Sequence, residues 1–291
     1  MANALQGLGA SLRMLGDLAE AEPLLRRALA IRERALGPEH PAVANALQEL
    51  GWVAFTHGDY STANALFRRT LDIREHVRGP QHFDISTALQ SLGASYRKLG
   101  RLKKAKQLLA RALDIREQSL KPDHPSIASA LQELGLLATD ADEQAEAVAL
   151  FERALSIREK TQHGKHPDVA AARHGLGAAL RRQGKLAEAQ VQLKAASEIR
   201  ENSLGPEHYS LATTLHELGL LELEQGNLDE AAKAFRRAIQ IRETKLGDDH
   251  PDNLFSRRAL TEIEQGHKRQ SGDLDGKPVL FVSVARISRR E

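Results

Sequence analysis

Histidines are the first residues in this chain that could do chemistry, either as metal ligands or as acids and bases near neutral pH, and there are twelve of them in 291 residues. Their spacing argues for a different role. His40, His82, His124, His166, His208 and His250 recur in one register, 42 residues apart, as a repeated structural position does. In the copy that begins with it, His40 stands before Pro41, and proline suits the first position of a helix, so capping is the expected role of the series. His163 and His166 flank Gly164-Lys165 with no carboxylate or third ligand at useful spacing, and His-Glu-x-x-His does not occur. The absence of cysteine excludes disulfides, thiol catalysis and thiolate metal sites. No Walker-type loop, no dinucleotide fingerprint after a strand and no G-x-S-x-G elbow is found. The sequence therefore predicts no catalytic residue, metal or cofactor, and no enzyme activity.

Other residues keep the same step. Ile-Arg-Glu begins at Ile31, Ile73, Ile115, Ile157, Ile199 and Ile241, and a glycine recurs at Gly9, Gly51, Gly93, Gly135, Gly177 and Gly219. A fixed period of this size marks a stacked array, in which one unit cannot bury its apolar face and its neighbours cover the rest.

Within one copy, Val43, Ala46, Leu47, Leu50 and Ala54 follow helical spacing from Pro41 until His57-Gly58-Asp59 breaks the pattern. A second helix carries Ala63, Leu66, Phe67, Thr70, Leu71 and Ile73 and stops before Gly79-Pro80. Each copy is thus an antiparallel helix hairpin, with small residues at the crossing: the glycine series, and Ala21, Ala63, Ala105, Ala147, Ala189 and Ala231. The expected units are about 1–36, 37–78, 79–120, 121–162, 163–204 and 205–246, a capping helix within 247–267, and a tail over 268–291. Val279 to Val284 in that tail is β-prone and has no place in the repeat; a flexible tail is the leading expectation and docking on the array the next.

Leu50, Gly51, Tyr60, Ala63, Phe67 and, in other copies, Ala112 or Ala154 resemble the tetratricopeptide repeat pattern. The 42-residue length, Ile-Arg-Glu, Leu36 to Pro41 and Glu20 to Leu24 look like the repeats of kinesin light chains and their bacterial relatives. The resemblance covers residues 1 to about 267. It implies an all-α, right-handed solenoid of six hairpins whose first helices line a concave, peptide-binding groove.

On that basis the groove holds Gln6, Gln48, Gln90, Gln132, His174 and His216 at one position, with Asn45, Trp52 and Phe55 beside them in the second copy. The next position alternates Gly7, Ser91 and Gly175 with Glu49, Glu133 and Glu217. One turn on, Arg13, Arg97 and Arg181 belong to the odd copies, reinforced by Lys98 and Arg182. The array therefore carries a second period of 84. Two readings fit: Glu and Arg pair between neighbouring copies and fix stacking, or the arginines meet acidic side chains of an extended peptide whose backbone the glutamines hold. Kinesin light chain repeats read Leu-Asn-Asn-Leu-Ala where this chain has Leu47-Gln48-Glu49-Leu50-Gly51; Gln48 keeps an amide on a longer arm, and Glu49 replaces one with a charge.

Charge supports a protein partner over nucleic acid. Six of the 41 basic residues and three of the 39 acidic ones lie from Lys268 onward, so the repeat body is close to neutral with both signs mixed. With neither a signal-like N-terminus nor a long apolar run, no membrane association is expected and the cytoplasm is the default location. The first copy begins at Met1 in mid helix. This motivates a rival expectation, that the array is the scaffold or sensor portion of a larger signalling kinase or ATPase.

Overall fold

A computed structural model of the chain describes residues 1–270 except 163 and 248–250, and these form thirteen helices with no strand among them. The first helix of each copy is α1 (Ala2–Leu15), α3 (Pro41–Thr56), α5 (Ile85–Lys98), α7 (Pro125–Asp140), α9 (Pro167–Arg182) or α11 (Tyr209–Glu224). The second is α2 (Leu18–Leu36), α4 (Tyr60–Arg78), α6 (Leu102–Ser119), α8 (Gln144–Thr161), α10 (Leu186–Leu204) or α12 (Leu228–Leu246). A last helix, α13 (Pro251–Gln270), packs on α12 as a seventh first helix would. The β-prone segment 279–284 lies outside the described residues.

The repeated histidines start these helices. Nδ1 of His40, His124, His166 and His208 accepts a hydrogen bond from the backbone N–H two residues on, at 3.1 Å in each case, satisfying one of the amides a helix leaves free. His82 does the same for Asp84, one residue before α5. At the turn inside five of the six hairpins a glycine takes the left-handed conformation, as Gly58 does at φ 83° before Asp59 caps α4 through Thr62. The fourth copy has no glycine there, and Asp142 adopts φ 62° instead.

Helix crossing depends on the glycine series. A methyl group added at Gly93 would lie 2.7 Å from Leu109 Cγ, and one at Gly219 the same distance from the Phe235 ring. Ala21, Ala63, Ala105, Ala147, Ala189 and Ala231 are fully buried. The residue that meets the glycine alternates along the chain: Leu25, Phe67, Leu109, Phe151, Leu193, Phe235.

First helices of consecutive copies also touch each other, from α1 on α3 to α9 on α11, whereas second helices do not pack together to that extent. The array therefore curves with the first helices inside. It curves far enough to meet itself. His208 Nε2 lies 3.1 Å from Met14 O, Lys245 is 3.5 Å from Asp17, and the Tyr209 ring sits against Gly16, so the hairpin turn of the first copy rests on the start of the sixth.

Candidate functional site: the inner face and the contacts between copies

The inner face is built from one position of six first helices. In odd copies its amide is already engaged: Gln6 Oε1 accepts from Arg32, and Gln90 Oε1 accepts from Arg116 at 2.6 Å. Gln48 Nε2 donates to Ser91 Oγ at 2.6 Å, while its Oε1 and that of Gln132 are buried with no hydrogen-bond partner. His216 Nδ1 meets Ser256 Oγ at 2.9 Å. Burial, helped by the charges of Arg200, His216 and Arg242, outweighs Glu217 and pushes His174 down to about 3, which leaves it neutral.

The arginines one turn on are paired, and always with the even copy that follows. Arg13 Nε donates to Glu49 Oε2 at 2.9 Å. Arg97 Nη1 donates to Asp140 Oδ2 at 2.7 Å, with Nε 3.9 Å from Glu133. Arg181 donates to Glu217 at 3.0 Å and to Glu224 at 2.5 Å. Side-chain exposure falls along the series from 18% at Arg13 to 7% at Arg97 and 1% at Arg181. Burial alone would push Glu217 up, yet Arg181, with His216, His174 and Arg182, holds it at about 2. Glu133 is different: burial outweighs Arg97 and Lys98, and its pKa is raised. The geometry thus contains the stacking network that the spacing allowed, and it engages each of these guanidiniums with a carboxylate of the next copy.

Interfaces from even to odd copies have no such pair. There the ring of Phe151 fills the space between Gly135 of its own hairpin and Gly175 of the next, where a side chain would collide with it. The residues equivalent to Gly175 after Phe67 and Phe235 are Ser91 and Ala259, both small and buried. The two alternations are therefore one: a phenylalanine requires a small residue on the next helix, and a leucine leaves room for a glutamate that an arginine can reach.

Of the remaining inner residues, Lys98 is exposed and sits over the Tyr60 ring at 5.6 Å. Trp52 and Phe55 are half-buried in an edge-on cluster, with the centroids of Trp52 and Phe55, Trp52 and Phe67, and Phe55 and Tyr60 each 5.2 Å apart. Asn45 is exposed and accepts from Arg74 at 3.1 Å, at the rim of a cleft of about 330 Å³ between the second and third copies. Arg182 is half-buried and adds its charge beside Glu217 and Glu224. Among the described residues no group of three or more metal-ligating side chains could hold an ion, and no helix is long and apolar enough to cross a membrane.

Sequence reasoning missed what Ile-Arg-Glu does. Its arginine reaches across to the first turn of the next hairpin and donates to the carbonyl ten residues on: Arg32 to Ala42, Arg74 to Asp84, Arg116 to Ser126, Arg200 to Ser210 and Arg242 to Asp252. Arg158 makes the corresponding contact to the Asp168 carboxylate at 3.0 Å. Burial lowers Arg116 and Arg200 to about 10, still charged at neutral pH. The glutamate pairs 36 residues on, as Glu33 does with Arg69, Glu75 with Arg111, Glu117 with Arg153 and Glu201 with Arg237. That fixed offset was readable in the sequence; the arginine's carbonyl partner carries no side-chain signal.

Stacked helix hairpins bolted through a repeated arginine define an α-solenoid. The tetratricopeptide repeat model matches residues 1–76, 84–160, 168–244 and 210–271, and the chain belongs to that family. Among solved structures it is similar to a kinesin light chain-like protein of Podosopora anserina with nearly identical repeats, at 26% identity, TM-score 0.52, covering 69% of this chain and 95% of that one. BtubC of P. vanneervenii gives 21% identity and TM-score 0.55 over 80% and 91% of the two chains. The Cut9–Hcn1 tetramer gives 17% and 0.60, over 90% of this chain and 42% of that one. Among curated proteins none matches. Arrays of this kind generally serve as protein–protein interaction scaffolds.

Proposed function

We propose that the chain is a non-enzymatic scaffold that holds an extended, acidic segment of a protein partner along its inner face. The observation that carries this reading is the ladder itself: amide and imidazole side chains at one register of six consecutive first helices, with a buried polar atom of Gln48, of Gln132 and of His174 left without a hydrogen-bond partner. Amides at regular spacing suit a peptide backbone, which offers a donor and an acceptor at every residue. Membership of the tetratricopeptide family and the kinesin light chain-like neighbour support the mode. The preference for acid rests on Lys98, Arg182 and the least buried pair, Arg13 with Glu49, where a partner carboxylate exchanges with Glu49 at small cost. Arg97 and Arg181 are taken up by carboxylates of this chain and are not assigned to the segment.

Peptide display on the full chain tests the proposal. Acidic sequences should be enriched on the wild type, lost on Lys98→Glu/Arg182→Glu with unchanged helicity, and weakened by salt. Enrichment without acidic bias would remove the charge assignment, and no enrichment would remove the groove.

A further inference from the structure

The join between the second and third copies breaks the repeat in two places at once. The first helices of the second, fourth and fifth copies open on Pro41, Pro125 and Pro167, whereas the equivalent residue of the third copy is Phe83 and α5 begins only at Ile85. The arginine that bolts this join is also the exception in its series. Arg32, Arg116, Arg158, Arg200 and Arg242 are buried, at 3–7% exposure, while Arg74 is half-buried and lines the cleft of about 330 Å³ beside Asn45. Two of its five N–H donors are used, on Asp84 O and Asn45 Oδ1. Its counterpart 84 residues on, Arg158, has the Asp168 carboxylate at 3.0 Å; the equivalent carboxylate, of Asp84, lies instead 3.5 Å from both Arg78 and His82. Burial pulls Arg74 below its ordinary value, and Asp84 offsets this only in part.

The rest of the lining says what chemistry suits the cleft. Two arginines, Arg74 and Arg78, and one aspartate, Asp84, give it a net charge of +1, which a single carboxylate neutralises and a phosphate dianion would overrun. Asn45 and Thr87 add an amide and a hydroxyl, and Phe83 and Val77 an apolar wall that a bare anion would leave uncovered. The volume is at the lower end of the roughly 300–1,000 Å³ of small-molecule sites, enough for one ring and its acid group. We infer that this cleft binds a carboxylate carried on a flat apolar group, with the oxygens taken by Arg74 and Arg78 and the body laid against Phe83 and Val77. A planar guanidinium fork matches the geometry of a carboxylate. Two sources offer this chemistry, a free aromatic acid and the C-terminal phenylalanine of a peptide. No residue of the glutamine and histidine ladder lines the cleft, so the site stands apart from the inner-face reading.

Titration of the full chain with phenylacetate, followed by ligand-observed NMR, tests the inference, alongside a short acetylated peptide ending in phenylalanine with its C-terminus free or amidated. Saturable binding of phenylacetate or of the free-acid peptide is expected, and the tighter of the two identifies the source. Acetate, which lacks the ring, and phenylacetamide and the amidated peptide, which lack the charge, should each bind about tenfold or more weakly. Arg78→Glu and Asn45→Asp should each abolish binding while leaving helicity and melting unchanged, since both residues are exposed. Acetate binding as tightly as phenylacetate would reduce the cleft to a plain anion site and overturn the inference. Phenylacetamide binding equally well, no binding of either acid, or binding that survives both substitutions would overturn it too.

Discussion

Arg181 and Glu217 meet across the interface between the fifth and sixth copies, Nε to Oε2 at 3.0 Å, with the arginine side chain only 1% exposed. Removing the arginine there leaves two part-buried carboxylates, Glu217 and Glu224, without it. Breaking a buried pair from one side costs about 3–5 kcal/mol, whereas an exposed pair contributes roughly 0–1 kcal/mol. Arg181→Ala should therefore be more damaging than Arg13→Ala, whose arginine is 18% exposed against 1%. Urea denaturation followed by circular dichroism measures both, and equal midpoints would contradict the gradient of burial.

Arg116 tests the bolt between copies. It is 3% exposed and donates to Gln90, Ser126 O and Ser86 at once. Arg116→Ala should cost about 1–3 kcal/mol or more through the acceptors it leaves unpaired. Lysine should not restore the loss, because a single ammonium cannot span three separated acceptors as the planar fork does. Full recovery of the melting point in Arg116→Lys would show that charge, not geometry, matters at this position.

Acid sensitivity should be set by His174 and then by Glu217. His174 titrates near 6.5 when unfolded and at about 3 when folded, so below 6.5 the unfolded state takes up the proton first and stability falls until about pH 3. Glu217, held at about 2 against an ordinary 4.5, contributes stability above 4.5 that disappears as the pH drops through 2. His174→Gln, which installs the residue the first four copies use, should flatten the loss between pH 6.5 and 4.5 and leave the later one in place. Chemical denaturation at stepped pH reads out the two windows separately.

How much of this was legible in the sequence depends on whether a residue's partner repeats with it. His40, Pro41, Gly58 and Asp59 announce the helix boundaries because caps and turns are local, and the structure places α3 and α4 where they point. Leu25, Phe67, Leu109, Phe151, Leu193 and Phe235 alternate in step with Gly7, Glu49, Ser91, Glu133, Gly175 and Glu217, so the two interface types were also readable. The depth of burial was not. Arg13 and Arg181 look equivalent in sequence, and only the packing of neighbours on both sides closes the second of them.

That alternation makes 84 residues the unit of exchange. Deleting 79–162 keeps Phe67 facing a small residue, Gly175 in place of Ser91, and should give a shorter, folded array with nearest-neighbour additivity. Deleting 79–120 alone sets Phe67 against Glu133 and should cost several-fold more stability per residue removed. Similar midpoints for the two deletions would mean that the copies are interchangeable singly.

Asp142 holds the hairpin turn of the fourth copy at φ 62°, where the other described copies place glycine. Asp142→Gly should relieve the left-handed strain and stabilise by up to about 1 kcal/mol. A lower melting point would show that the hydrogen bond from Gln144 Nε2 to Asp142 Oδ1, at 3.0 Å, outweighs that strain.

The contact between Met14 and His208 joins residues 194 apart in a fold otherwise held by neighbours. A coil whose turns touch does not behave as an open spring. Pulled along its axis, the chain must first part His208 from Met14 and Lys245 from Asp17 before it can lengthen, so its first response to load is that of a closed clasp, and its compliance appears only after that clasp gives way.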